Sequence, residues 1–259
     1  MGVTVQQDAR GVATVTIANA AKLNTLNSAL MTGLIGAVQA LGADAALRVV
    51  VLRGEGERAF IGGADIREMA TLGSPAAARG FITLVHRSCD VFRRLPVPVI
   101  ARISGHVLGA GLEVAAACDI RVAAEGSVFG MPEVRVGLPS VVEAALLPKL
   151  IGWGRTRHLL LTGDTIDARQ AEAWGLVEHR VPAEALDARV EQLVQSILAS
   201  GPESVRLQKA LIADWEGLPP DAAIQRGIDC FADAWQGDEP RRMLSEFASR
   251  MGKAGRRSS

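Results

Sequence analysis

Three short segments of the chain combine glycine-rich turns with carboxylates: residues 60–65 (FIGGAD), 105–113 (GHVLGAGLE) and 129–133 (FGMPE). A glycine-rich turn that leads into a helix exposes unpaired backbone N–H groups at the positive end of the helix dipole. Such groups bind phosphate or stabilise an oxyanion. The second segment ends in Glu113 and the third in Glu133. Two carboxylates beside oxyanion donors are typical of proton transfer next to a carbonyl group.

Each of these features, taken alone, also has a purely structural interpretation. Glu113 falls in a predicted first helical turn, where the helix dipole favours any carboxylate. Glu133 follows a proline and fits a solvated turn equally well. Residues 109–114 nearly match the dinucleotide-binding pattern G-x-G-x-x-G, but the last position is Val114. A dinucleotide-dependent enzyme, which would bind NAD, therefore stays open as an alternative.

The histidines and cysteines form no recognisable metal-binding pattern. His86 and Cys89 are one helical turn apart, but no second pair completes a tetrahedral set. His106 lies beside the second glycine turn, where a structural role is favoured over a place in the pocket. The sequence also has no G-x-S-x-G or P-loop motif. We therefore expect no bound metal.

Alternating strands and helices must position the three segments. Runs of β-branched residues and period-2 patterns predict strands within 3–5, 12–17, 48–53, 97–103, 119–124 and 177–181. Helical periodicity predicts a helix capped by Asn27 or Ser28, helices at 75–95 and 110–118, and a mostly helical chain after Phe129. Residues 54–65 are glycine-rich and aperiodic, so they are predicted to be a functional loop. The pattern as a whole predicts an α/β fold with a helical C-terminal region.

Length, charge and composition exclude several classes of protein. The 259 residues include 28 basic and 28 acidic side chains, a formal net charge of zero. Apart from Arg256 and Arg257 there is no basic stripe, which argues against a nucleic-acid partner. No apolar run approaches the roughly 20 residues that cross a bilayer, and the N-terminus is too polar for a signal peptide. With three widely spaced cysteines, the chain is expected to be cytoplasmic, with reduced thiols and no membrane partner.

Taken in order, the motifs resemble the crotonase family, the enoyl-CoA hydratases and isomerases. That family has an NALN-like segment, an F-x-x-G-A-D loop and a G-x-x-L-G-G-G-x-E turn, followed by C-D-I-R-x-A, F-G-x-P-E and G-L-V. The matching stretches here are residues 24–27 (NTLN), 60–65, 105–113, 118–123 (CDIRVA), 129–133 and 175–177 (GLV). The match runs from about residue 10 to residue 182. Any one motif is weak, but the ordered set is specific.

The resemblance implies a crotonase-type spiral β-β-α core with a helical C-terminal region. It places the core domain in residues 1–195 and assigns residues 196–259 to a helical region involved in oligomerisation. Members of the family assemble as homotrimers or as hexamers that are dimers of trimers. We therefore expect one of these two states.

The same resemblance assigns roles to individual residues. The oxyanion hole falls on the backbone N–H groups of Ala64 and Ala110, where the family usually has glycine at the second position. The two hydratase glutamates fall on Glu113 and Glu133. The positions expected to contact the substrate or its coenzyme A portion are Lys22, Leu23, Gly62, Asp65, Ile66, Gly109, Pro132 and Ser140.

The implied activity is the hydration of a trans-2-enoyl-CoA to a 3-hydroxyacyl-CoA. Such a reaction needs no cofactor, since coenzyme A is part of the acyl-CoA thioester substrate. An enoyl-CoA isomerase or a specialised acyl-CoA dehydratase of the same family is the alternative. A non-catalytic RNA-binding role, known for some relatives, is disfavoured by the zero net charge.

One stretch departs from the family pattern. Where relatives often have I-P-G-x-G-G, residues 138–144 read LPSVVEA, one residue shorter. Ser140 and Glu143 have the spacing of an S-x-x-E capping box, in which each side chain caps the other residue's N–H. The sequence therefore predicts a capping role for Glu143, with a role in the pocket as the alternative.

Overall fold

The computed structural model describes residues 2–255, with side chains described up to residue 250. Arg256 and Arg257, the basic pair noted above, lie outside the described residues. The chain divides into two compact units, one ending at Val194 and the other beginning at Gln195.

A six-stranded sheet forms the centre of the first unit. The strands, in spatial order, are β1 (Gly2–Gln7), β2 (Val12–Ala18), β3 (Val49–Gly54), β5 (Val99–Ile103), β7 (Ile120–Ala124) and β10 (His179–Val181). The first pair is antiparallel and the others are parallel. Strands β3 and β5 are buried along almost their whole length, as parallel strands covered on both faces are. These six strands confirm the predicted set.

A second, smaller sheet carries the glycine-rich segments. Its strands are β4 (Ala59–Ile61), β6 (His106–Leu108), β8 (Val128–Gly130) and β9 (Thr165–Asp167), in that spatial order. Each strand has three residues. Strand β4 lies within residues 54–65, which the sequence predicts to be a loop without a strand. Each glycine-rich segment follows or contains one of these strands, so the small sheet aligns all three.

Helices cover both sheets in the first unit. They are α1 (Ser28–Gly42), α2 (Ile66–Met69), α3 (Pro75–Arg93), α4 (Ala110–Ala117), α5 (Leu147–Thr162) and α6 (Ala168–Trp174), and α7 (Leu186–Leu198) runs across the boundary between the units. The Asn27 side chain accepts from the Leu30 N–H and caps α1, as predicted. Helix α4 is buried throughout, which explains its run of alanines.

The second unit is helical. It contains α8 (Pro202–Trp215), α9 (Pro220–Ala234) and α10 (Glu239–Gly255). The Glu239 carboxylate accepts from the N–H groups of Glu203 and Ser204 at the start of α8, so α10 caps α8 within this unit. Several large apolar side chains of α9 and α10 are exposed: Ile224, Ile228, Phe231, Leu244 and Phe247.

Within residues 2–255, no helix is long and apolar enough to cross a membrane.

Candidate active site

A cavity of about 330 Å³ lies where the three glycine-rich segments meet. Eight of the sequence-predicted site residues line it: Gly62, Ala64, Ile66, Gly109, Ala110, Glu113, Pro132 and Glu133. The three segments are far apart in the sequence, and the small sheet joins them because β6 pairs with both β4 and β8. The cavity therefore brings both expected glutamates and both expected oxyanion donors together.

Two backbone N–H groups face this cavity without a partner. Leu26 pairs with the first loop as an isolated bridge, through its N–H to the Gly63 carbonyl and its carbonyl to the Asp65 N–H. This pairing skips the N–H of Ala64. Ala110 is the first residue of α4, where an N–H has no acceptor within the helix. Among the described residues, neither N–H donates a hydrogen bond, so both are available to a developing negative charge.

Two glycines fix the backbone around these donors. Gly109 precedes α4 with φ of +51°, and a Cβ at this position would collide with a carboxylate oxygen of Glu133. A Cβ at Gly111 would collide with the carbonyl oxygen of Ile61, at the end of β4. The start of α4 therefore packs directly on the strand that leads to Ala64. Any side chain at Gly109 or Gly111 would separate the elements that hold the site together.

Glu113 lies one turn into α4 and is only 4% exposed. Its Oε1 accepts a hydrogen bond from the Ala144 N–H at 3.3 Å. Burial raises the pKa of Glu113, the charge of Glu133 raises it further, and together with the more distant Glu143 they bring it to about 8. The raised pKa favours the protonated form of the Glu113 carboxyl group at neutral pH.

Glu133 belongs to a short 3₁₀ turn, Pro132–Val136, that follows β8. It is half-buried, and its Oε2 accepts a hydrogen bond from the Ser140 hydroxyl at 2.7 Å. This hydrogen bond fixes the orientation of the Glu133 carboxyl group. The two glutamates lie close enough for the charge of Glu133 to raise the pKa of Glu113.

The predicted capping box of Ser140 and Glu143 is wrong. The Ser140 hydroxyl donates to Glu133 instead, and the following turn, Val142–Leu146, has no side-chain cap. Glu143 is buried, with Oε1 2.8 Å from His86 Nδ1. The capping pattern failed because both side chains find stronger partners outside the turn, a choice that local sequence cannot show. The expected place of Ser140 at the substrate site stays a prediction.

The remaining predicted contacts lie beside the cavity. Lys22 Nζ is 3.5 Å from Asp65 Oδ2, and Asp65 also accepts from the Arg67 and Glu68 N–H groups, so it caps α2. The Leu23 carbonyl accepts from the Gly62 N–H at 2.8 Å. The half-exposed ammonium group of Lys22 therefore lies near the first loop. A positive charge there would attract the phosphate groups of a ligand.

The cavity wall is made of apolar side chains that sequence reasoning did not assign to the site. Helix α3 and the turn after Pro132 supply most of them: Phe81, Ile82, Val85, Val136, Leu138 and Val141. Periodicity places Phe81 and Val85 on the inner face of a helix, but it does not distinguish a pocket wall from a core. His106 is exposed and is not part of the wall.

Among the described residues there is no cluster of three or more histidine, cysteine or acidic side chains that could hold a metal ion. Cys89, Cys118 and Cys230 are free thiols, all buried.

Comparison with known proteins gives one consistent answer. The enoyl-CoA hydratase/isomerase family model matches residues 7–252. The crotonyl-CoA hydratase of Syntrophomonas wolfei is 37% identical over 214 residues, 82% of this chain and 80% of the relative. The mitochondrial methylglutaconyl-CoA hydratase of Homo sapiens is 31% identical over 235 residues, 88% of this chain and 68% of the relative.

Solved structures agree with the sequence match. The crystal structure of an enoyl-CoA hydratase from Bacillus anthracis superimposes with a TM-score of 0.91 at 30% identity, and 96% of each chain is covered. This similarity confirms the expected crotonase-type fold. The chain is therefore a member of the enoyl-CoA hydratase/isomerase family.

Proposed function

We propose that the protein hydrates a trans-2-enoyl-CoA to the 3-hydroxyacyl-CoA. The observation that carries this proposal is the meeting of Glu113 and Glu133 in one cavity with the free N–H groups of Ala64 and Ala110. Moving a proton along an acyl chain needs one base. Adding water needs one group to take a proton from the water and another to deliver a proton to carbon. The pair of glutamates fits the second requirement.

The N–H groups of Ala64 and Ala110 bind the thioester oxygen. As the water oxygen bonds to Cβ, the electrons of the double bond move toward the carbonyl and the oxygen gains negative charge. Two fixed donors stabilise this enolate without reorganisation, and a single donor of this kind is worth about 3–4 kcal/mol in other enzymes. The reaction needs no redox cofactor, because hydration transfers no electrons to or from the substrate.

The two glutamates carry out the two proton transfers of the reaction. We assign the water to Glu113 and delivery of the proton to Cα to Glu133. The raised pKa of Glu113 favours its protonated form. A proton shift from Glu113 to Glu133 through the attacking water then prepares the reactive state, with Glu113 ionised and Glu133 protonated. The shift leaves the charge of the pair unchanged. The water then gives a proton to Glu113 as its oxygen bonds to Cβ, and Glu133 protonates Cα.

The cavity favours an apolar, uncharged acyl group. Its wall is largely aliphatic and aromatic, and its volume of about 330 Å³ is at the small end of the range for ligand pockets. Arg135 is the one cation among the described lining residues, and its guanidinium already bonds the Asp164 carboxylate at 2.7 Å and the Thr162 carbonyl. An acyl group with its own carboxylate would be buried beside Glu113 and Glu133 without a free cation.

An absorbance assay of the purified protein tests the activity. Loss of the enoyl-thioester absorbance of crotonyl-CoA, with a product heavier by one water, is the expected result. Methylglutaconyl-CoA, which carries a free carboxylate, should react much more slowly than crotonyl-CoA. No hydration of any enoyl-CoA would refute the proposal.

The isomerase alternative has its own test. The 3-butenoyl-CoA isomer of the substrate should be converted only if the protein moves a proton between Cα and Cγ. Isomerisation without hydration, retained in a Glu113→Gln variant, would reassign the protein to that activity.

A further inference from the structure

Behind Glu113 lies a third glutamate that the proposed reaction does not use. Glu143 is 3% exposed, and its Oε1 lies 2.8 Å from Nδ1 of His86 on α3. Its Oε2 is buried and has no hydrogen-bond partner among the described residues. The buried Cys89 thiol interacts with the same carboxyl group through a side-chain hydrogen bond. Burying a carboxyl group with so few donors around it is costly.

The backbone that carries Glu143 is strained. Val142, the residue before it, has φ of +39°, a left-handed conformation that a β-branched side chain rarely adopts. Such strain persists where the surroundings hold the chain in place, and it collects at functional sites. In this turn the Ala144 N–H donates to the Val141 carbonyl at 2.9 Å and also meets Glu113 Oε1 at 3.3 Å. The bond from Glu143 to His86 ties the same turn to α3.

The charge of Glu143 acts on the same carboxyl group. Burial is the main cause of the raised pKa of Glu113, the charge of Glu133 is the next, and the charge of Glu143 adds to both, whereas the Ala144 N–H opposes them. Burial and the same two neighbours, Glu143 and Glu113, also raise the pKa of the Cys89 thiol. The titratable groups that interact directly with Glu143 are His86, Cys89 and Glu113. The other titratable or charged residues on the helices that pack on the turn are Arg79, Arg87, Asp90 and Arg93 on α3 and Lys149, Arg155, Arg157 and His158 on α5.

We propose that Glu143 and His86 form a positioning pair for Glu113: their bond fixes the strained turn, which presents both the Ala144 N–H and the Glu143 carboxylate to Glu113. The inference rests on the proposed function, because it assigns the pair to a carboxyl group of the reaction. Neither residue touches the substrate. The His86 side chain is 46% exposed, so it lies between the buried Glu143 carboxyl group and the solvent.

Glu143→Gln is the first test, because it keeps the shape and an acceptor for His86 but removes the charge. The infrared band of the protonated Glu113 carboxyl group, identified by its loss in Glu113→Gln, reports the titration without any substrate. We expect the apparent pKa of Glu113 to fall by at least about half a unit, as removal of a neighbouring charge does. Glu184→Gln, at an exposed glutamate outside the site, is the matched control and should leave the band unchanged.

His86 provides the second test and does not depend on the folding of a core variant. His86→Ala removes the bond to Glu143, and we expect kcat to fall roughly tenfold through loss of alignment, with KM nearly constant. His86→Asn offers an amide N–H in place of Nδ1 and should restore most of the rate. A structural role alone would lower the melting temperature of both variants without this rescue.

The outcomes separate the inference from the function on which it rests. An unchanged Glu113 titration in a folded Glu143→Gln protein would overturn the charge contribution of the pair. An unchanged kcat in His86→Ala would overturn the positioning. If the wild-type protein hydrates no enoyl-CoA while the infrared titration shifts as expected, the proposed function fails and the electrostatic coupling between Glu143 and Glu113 stands.

Discussion

Glu133 is the residue whose loss should be most damaging to turnover. Glu133→Gln keeps the acceptor for Ser140 but removes the acid and base function, so kcat for crotonyl-CoA should fall by at least about 10²-fold, the usual worth of a positioned acid or base. KM should change far less, because the acyl pocket stays intact. Steady-state kinetics on the purified variant measure both constants.

Ser140→Ala is the matched comparison for this variant. It removes only the donor to Glu133 Oε2, so it should cost several-fold in kcat rather than orders of magnitude, in line with the loss of one hydrogen bond of about 1 kcal/mol. Wild-type turnover in Glu133→Gln would exclude Glu133 from the chemistry.

Burial of Glu113 should lower the free energy of unfolding at neutral pH. Its pKa is raised from 4.5 to about 8. Below the ordinary value the group is protonated in both folded and unfolded chains and costs nothing. As the pH rises toward 8 the unfolded chain ionises first, so wild-type stability is progressively lost, and above about 8 the cost is constant. Glu113→Gln, which does not ionise, should therefore be more stable by about 1–3 kcal/mol at pH 7.

Thermal melts across the pH range measure this difference. The two melting curves should converge near pH 4 and separate up to about pH 8, by roughly 2–4 °C for each kcal/mol. A constant difference at every pH would mean that Glu113 has an ordinary pKa in the folded protein.

The positions of Glu113 and Glu133 in the chain can be predicted from the sequence, but the electrostatic environment of their carboxyl groups cannot. Glu113 and Glu133 are identified by the turns that precede them. The raised pKa of Glu113 depends on burial of α4 and on Glu133 and Glu143, which approach through folding alone. The same limit explains why Ser140 and Glu143 were assigned to a capping box.

At the scale of secondary structure, the first turn of α4 supplies one oxyanion donor. Ala110→Pro removes that N–H, and it should abolish most hydration because a single donor of this type is worth about 10²–10³ in kcat. Proline is well tolerated at the first position of a helix, and Ala110 holds that position. The fold should therefore survive.

A thermal melt and the kinetics of Ala110→Ser control this experiment. Serine keeps the N–H and introduces a side chain of similar size, so Ala110→Ser should retain most of the activity. Full activity in a folded Ala110→Pro protein would exclude this N–H as a donor.

The long elements were predictable, and the short strands of the second sheet were not. Helix α3 begins at Pro75 as its periodicity indicates, and β3 and β5 coincide with β-branched runs. Strand β4 has three residues inside a glycine-rich stretch. So short a strand has no period to detect, and it exists only because β6 pairs with it.

At the scale of the whole molecule, we predict that the exposed apolar residues of the second unit form a subunit interface. Ile224, Ile228 and Phe231 lie at helical spacing on α9 and are all more than half exposed, an arrangement that marks association surfaces. We expect a homotrimer or a hexamer. Phe231→Glu should lower the molar mass measured by light scattering, because it would bury an unpaired charge in the interface.

Gln225→Glu, which adds the same charge at an exposed polar position of the same helix, should leave the assembly intact. A monomeric wild-type protein would contradict the expectation. The family is evident from the order of its motifs in one chain, whereas assembly depends on surfaces of several copies, so residue patterns within one chain predict it poorly.

The contact between Gly111 and the Ile61 carbonyl has a consequence for how such a protein can change over generations. The contact holds β4 and α4, the elements next to the two oxyanion donors, together through backbone atoms. Substitutions of side chains elsewhere therefore leave the positions of the donors unchanged. The acyl wall, by contrast, is built from replaceable side chains such as Phe81 and Val85 on a separate helix. New substrate preferences can therefore be selected, in nature or in a directed-evolution library, without renewed optimisation of the chemistry.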